Sequence, residues 1–234
     1  MTNKPKYIAI SFAPVQGFIE KSRKLRDLYG ASRILSHLTY KLIEQIEQSH
    51  LISEIEIISP GIPTLQEGMP NRIVVRGYLD DREIEKFEQE IRKFILATWR
   101  NILKVCKAWI EHKFRAYEPD YRFYWDSQWK YWRQNTWEIF VGQGQNVETA
   151  MDDLETKKLA RDWTALNWVG KSSSLTGTDA IIHPDINNRR HYDPRNKITP
   201  AQEEKVKKFY RCLSCFLEGK NPNQKKPEGK FLES

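Results

Sequence analysis

Apolar residues fall into short blocks along this chain, and the spacing within each block predicts its element. Tyr7-Ile-Ala-Ile-Ser-Phe12 is rich in β-branched and aromatic side chains and too short for a helix, so it predicts a buried strand. Ala13-Pro14-Val15-Gln16-Gly17 breaks that run. Leu28, Ala31, Leu35, Leu38, Leu42 and Ile46 then recur at three- and four-residue steps, predicting a helix with one apolar face that ends near residue 48. Glu54 to Ile58 alternates as a second strand would, and Pro60 to Pro70, with three prolines and two glycines, predicts a loop. Arg72-Ile-Val-Val-Arg-Gly-Tyr78 predicts a third strand.

Asp80 and Asp81 are candidate N-caps, because a short carboxylate can accept from the orphan amides of a first turn. The helix behind them should bury Ile84, Phe87, Ile91, Phe94, Thr98, Ile102, Val105 and Trp109, the longest regular pattern present. Trp137-Glu-Ile-Phe-Val141 predicts a fourth strand, and Glu148 to Trp163 a further helix. From Val169 to Pro200 the pattern dissolves into polar residues; a short helical stretch, Ala201 to Glu218, follows. The order strand, helix, two strands, helix, strand predicts an α+β fold, the split βαβ of a ferredoxin-like domain, over about residues 6–145. The expected organisation is residues 1–145 as that domain, 146–218 as a small, mostly helical region, and 219–234 as a polar tail with almost nothing to bury.

Composition narrows this modestly. Eight Trp, ten Tyr and ten Phe suffice for a real core. No apolar run approaches membrane-spanning length and no apolar segment precedes the first strand, so neither a membrane partner nor a secretory leader is expected. Three cysteines suit a reducing cytoplasm better than a disulfide framework. A net charge of +7 favours anionic partners, although Lys and Arg also simply solvate a surface.

Ser11-Phe-Ala-Pro-Val-Gln-Gly-Phe-Ile19, continued by Arg23-Lys-Leu-Arg-Asp-Leu-Tyr-Gly-Ala-Ser-Arg-Ile-Leu-Ser36, resembles the opening of the first palm domain in the large subunit of type III-B (Cmr-type) CRISPR effector complexes. Met69-Pro-Asn-Arg72 and the Trp/Tyr-rich stretch from Trp125 to Trp137 are similar to further segments of that family. Lys171-Ser-Ser-Ser-Leu-Thr-Gly177 and Arg211-Cys-Leu-Ser-Cys215 resemble the two halves of its zinc-binding insertion. The resemblance implies a subunit that holds ATP between two palm domains and makes cyclic oligoadenylates, with other CRISPR effector subunits and guide and target RNA as partners. No Gly-Gly-Asp-Asp metal-binding turn occurs, no His-Asp nuclease region precedes the first strand, and no second palm follows. The chain is expected to be a fragment or a reduced relative, without catalytic residues of its own.

Within that frame Ser11, Pro14, Gln16, Gly17, Arg23 and Arg26 are the candidate nucleotide-binding residues. They join a strand to a helix start, where free amides and the helix dipole favour phosphate. Gly17 would let a phosphate approach the backbone. The plainer reading is that Pro14 and Gly17 shape a turn and Arg26 pairs with a carboxylate. Asp27 is read as an ion-pair partner, and Ser32 as a small residue that permits close helix packing. Tyr121 to Trp132 interleaves aromatics with Arg122 and Lys130, which suits stacked RNA bases. Trp125, Trp129 and Trp132 at helical spacing suit a buried face equally, and core packing is the reading adopted. Cys212 and Cys215 form one CxxC, half of a tetrahedral zinc site. Ser173 and Thr176 supply no thiolate for the other half, which leaves either a degenerate loop or completion by His183 and His191. Cys106 is expected to pack near the apolar face of the long helix. The function expected is a scaffold and half of a nucleotide pocket; the alternative is a standalone basic RNA-binding module without nucleotide chemistry.

Overall fold

The computed structural model describes residues 4–22, 24–48, 53–62, 68–161 and 199–223. Their elements are β1 (Lys6–Ala13), α1 (Val15–Ile19), α2 (Leu25–Glu47), β2 (Ser53–Ser59), β3 (Arg72–Tyr78), α3 (Asp81–Tyr117), α4 (Asp126–Asn135), β4 (Glu138–Gly144), α5 (Val147–Leu159) and α6 (Pro200–Leu217). The fold is α+β. Two compact units divide it: Met1–Leu103 with Trp132–Thr164, and Lys104–Tyr131 with Ala165–Ser234. No helix among the described residues is long and apolar enough to cross a membrane.

In the first unit the four strands form one antiparallel sheet in the order β2-β3-β1-β4. β1 is central, and Ile8, Ala9, Ile10, Ser11 and Phe12 are all buried, as a strand covered on both faces requires. Ala9, Val74 and Phe140 meet Ala150 and Leu154 of α5 on one face. Ile8, Ile10, Phe12, Ile73 and Val75 point to the other by alternation, and the buried stripes of α2 and α3 cover them. Gly142 and Gly144 let α5 lie close on β4, because a Cβ at either would overlap the α5 backbone.

Caps set the helix starts. Asp80 Oδ1 accepts from Glu83 N (2.8 Å) while Glu83 Oε2 accepts from Asp80 N (2.7 Å), a reciprocal box at the head of α3. Asp81 instead pairs with Lys6 at 2.6 Å. Asn146 with Thr149, and Thr199 with Gln202, build the same box for α5 and α6.

Several expectations need correction. The buried stripe of α3 runs Ile84, Phe87, Ile91, Ile95, Trp99, Leu103, whereas Phe94, Thr98 and Ile102 are only half-buried and Val105 and Trp109 are exposed. Successive four-residue steps each turn the stripe by about 40° around a helix of 3.6 residues per turn, so both series satisfy the same spacing rule. Trp99 is drawn in by its neighbours: its ring lies edge-on to Trp137 (5.5 Å) and Phe18 (6.0 Å), and its Nε1 donates to the Trp132 carbonyl at 3.2 Å. Leu28 and Ser32 of α2 are exposed; the buried small residues are Ser36 and Thr39. Cys106 is exposed because α3 has left the first unit at Leu103.

Candidate functional site

β1 ends at Ala13, and the chain passes through α1 into α2 within eleven residues. A polar clamp fixes the start of this connection. Asn71 Nδ2 donates to the Phe12 carbonyl (3.1 Å) and to Ser11 Oγ (3.3 Å). Met69 N donates to Ser36 Oγ, and Thr39 Oγ1 donates to the Pro70 carbonyl, each at 3.0 Å. The Met69-Pro-Asn-Arg72 segment thereby ties α2, β3 and the end of β1 together. The sequence held one signal for it: Ser36 and Thr39 interrupt an otherwise apolar stripe, and buried hydroxyls demand partners.

The candidate residues separate into two groups. Ser11 is fully buried, so it serves the clamp. Pro14 and Gln16 are exposed, and Gln16 Nε2 donates to Glu20 Oε1 at 2.5 Å. Gly17 is half-buried, and a Cβ there would meet Pro14 Cβ at an ordinary 3.7 Å. Nothing in the fold itself therefore requires glycine at 17. Arg26 is exposed, with its Nε 3.6 Å from Asp27 Oδ1, the ion pairing read for Asp27 from sequence. Arg23 lies outside the described residues.

α2 begins at Leu25 with Lys24 as N-cap and no side-chain cap bond; Asp27 N and Leu28 N donate to the Lys24 carbonyl (2.9 and 3.1 Å), and Lys21, Lys24, Arg26 and the acidic Asp27 flank this helix start. Leu25, Leu28 and Tyr29 stand on one side of that turn, Leu25 82% and Tyr29 66% exposed. A recess of about 250 Å³ lies further along, between Arg33, Ile34 and His37 of α2 and Ile102 of α3. Under the loop, Phe18 packs on Trp137 (5.1 Å) and Trp99, fastening α1 to the core.

The second unit is built on aromatic packing. Phe114, Trp125, Phe209 and Cys212 are its buried cluster, with Tyr121, Phe123, Trp129 and Phe216 around them. Phe114 stacks on Phe209 at 4.3 Å. Trp125 is buried here and Trp129 packs partly buried against it, the core role adopted from sequence, but the three Trp do not form one buried helical face: Trp125 precedes α4, α4 has no buried residue, and Trp132 belongs to the first unit. Trp125 Nε1 donates to Glu111 at 2.9 Å.

Cys212 and Cys215 lie on continuous helix in α6, one turn apart. Burial pushes the Cys212 thiol up, against the thiolate that zinc needs. Ser173, Thr176, His183 and His191 lie outside the described residues. Among the described residues no three His, Cys, Asp or Glu gather as a metal site.

Residues 7–104 match the protein family described as CRISPR-associated protein Cmr2, N-terminal. A curated relative, the CRISPR system Cmr subunit Cmr2 of Pyrococcus furiosus, is 32% identical over 115 residues. That match covers 41% of this chain and 13% of the relative's length.

Proposed function

We propose, from the match of residues 7–104 to the Cmr2 N-terminal family, that this chain is the first palm-like portion of a type III-B CRISPR effector subunit. It acts there as a scaffold among other effector subunits and their guide and target RNA, and it forms half of an ATP pocket that a second palm completes. A strand, helix, two strands, helix, strand sequence with the sheet order β2-β3-β1-β4 supports the ferredoxin-like, palm assignment.

One observation carries the half-pocket. The uncapped start of α2 presents amides and three cations together with Leu25, Leu28 and Tyr29, apolar side chains that a lone surface has no reason to hold outward. Pro14, Gln16, Gly17 and Arg26 form the phosphate-facing wall, Arg23 keeps the same role on the sequence reading alone, and Ser11 stands behind the wall in the clamp with Asn71. The family's zinc-binding insertion is degenerate in this reading, and the chain by itself performs no catalysis.

The test is calorimetric titration of ATP with magnesium into the chain, alone and mixed with a polypeptide bearing a second palm. Binding is expected only in the mixture, weakened there by Arg26→Ala and left intact by Lys93→Ala. Equal ATP affinity of the chain alone, or a mixture indifferent to Arg26→Ala, refutes the half-pocket. Cyclic oligoadenylate made by this chain alone refutes the non-catalytic role.

A further inference from the structure

Positive charge is held unevenly by this chain. Described residues of the first unit carry eighteen Lys and Arg against seventeen Asp and Glu. In the second unit the same count is eleven against seven, on fewer than half as many residues. That unit also has a groove of about 670 Å³ between the end of α3, the segment before α4, and α6. Its walls include Tyr117, Tyr121, Arg122, Tyr124, Lys205 and Lys208. The volume lies inside the ~300–1,000 Å³ usual for ligand sites.

The segment Tyr121–Trp125 supplies the chemistry. Tyr121, Phe123 and Trp125 turn into the aromatic cluster, while Arg122 and Tyr124 between them are exposed. Among the described residues neither Arg122 nor Tyr124 makes a hydrogen bond, ion pair or ring contact. Tyr124 is 39% exposed and lines the groove, as does Arg122. Core packing accounts for the alternate residues and not for these two. A cation beside a ring, on the wall of a basic groove, is how single strands are held: bases stack, and phosphates meet the charge. The two acids of the groove fit the same ligand. Glu118 is neutralised by Lys208, and Asp120 can accept from the exocyclic amine of a base. An acidic peptide would offer Tyr124 no flat partner and Asp120 no amine donor.

We propose that this groove binds single-stranded nucleic acid, with Tyr124 stacking on a base and Arg122 and Lys205 engaging the adjoining phosphates. This site is independent of the ATP half-pocket, and either can fail without the other.

The experiment is fluorescence anisotropy of the whole chain with fluorescein-labelled oligouridylate and oligodeoxythymidylate twelve-mers at two KCl concentrations. Saturable binding is expected, and Tyr124→Ala should weaken it roughly 5- to 150-fold, the loss of one stacked base. Tyr124→Phe, which keeps the ring, should bind as the parent does. Arg122→Ala should weaken binding and reduce the logarithmic salt slope by about 0.7. Lys93→Ala, in the first unit, should change nothing. Tighter oligouridylate assigns the site to RNA, and equal affinities assign it to single strands of either sugar. Absence of saturable binding, indifference to Tyr124→Ala, or equal loss with Tyr124→Phe overturns the proposal. So does capture of labelled polyglutamate with no oligonucleotide binding, which would make the partner an acidic polypeptide. Thermal melts matched to the parent confirm that each variant is folded.

Discussion

Ile95→Ala and Phe94→Ala put the two registers of the long helix in direct opposition. Ile95 is 1% exposed and Phe94 half-buried, although Phe94 is the larger residue and lies on the stripe that spacing alone suggests. Truncating Ile95 removes three carbons from a site closed on all sides. At ~0.8 kcal/mol per buried methylene that is about 2.4 kcal/mol of transfer energy. A residual cavity takes the total to about 3–4 kcal/mol, within the range for buried Ile to Ala. Phe94 loses contacts that water can partly replace, so about 1 kcal/mol is expected, closer to a surface substitution. Urea titration followed by far-UV circular dichroism separates them. With a slope of ~2 kcal/mol per M, Ile95→Ala should lower the midpoint by about 1.5–2 M and Phe94→Ala by about 0.5 M. The opposite order would return the stripe to Phe94, Thr98 and Ile102, and the packing of α3 on the sheet would have to be redrawn.

Four further outcomes are expected. Asp153 Oδ2 accepts from Gln143 N (2.8 Å) and Lys157 Nζ donates to the Val141 carbonyl (2.7 Å), which occupies outward backbone groups of the β4 edge. The double variant Asp153→Ala/Lys157→Ala should therefore associate with increasing concentration, and a strictly monomeric light-scattering mass would remove the pair's role as an edge guard. Gly144→Ala should cost about 1–3 kcal/mol by overlap with Thr149 and Ala150 while Gly17→Ala stays within about 0.5 kcal/mol, both read from denaturant midpoints; equal effects would contradict the packing of α5. The folded-state pKa of Cys212 is raised by burial, so its stabilising effect is complete below the ordinary value of 9.0 and lost as pH rises through the raised one. Stability of the parent should thus fall above pH 9 more steeply than that of Cys212→Ala, and parallel curves would show the thiol to be unburied. Elemental analysis should find less than one zinc per chain; stoichiometric zinc lost in the Cys212→Ser/Cys215→Ser variant would establish a site.

Particular elements show why some of this was readable in advance. Arg72–Tyr78 and Tyr7–Phe12 were legible as strands because a short β-branched run has little other use, and α3 because its pattern persists over many turns. The candidate loop was legible as a break between strand and helix. The clamp of Asn71, Ser36 and Thr39 behind it was not, because its partners lie up to sixty residues apart in the chain. The stretch holding Arg122 was legible as a candidate for stacked bases, but that Tyr121, Phe123 and Trp125 turn inward while Arg122 and Tyr124 stay exposed was not.

By itself the sequence determined the order of the strands and of the long helices between them, the Asp80 cap of α3, and the basic, aromatic character of the chain, since these follow from local spacing and side-chain chemistry. Only the tertiary structure decided which of two equally spaced stripes on α3 is buried, that Ser11 faces inward, and that Cys212 sits among aromatic rings. Each of those depends on what stands opposite the residue, and a neighbour brought from a distant part of the chain leaves no mark on the local pattern.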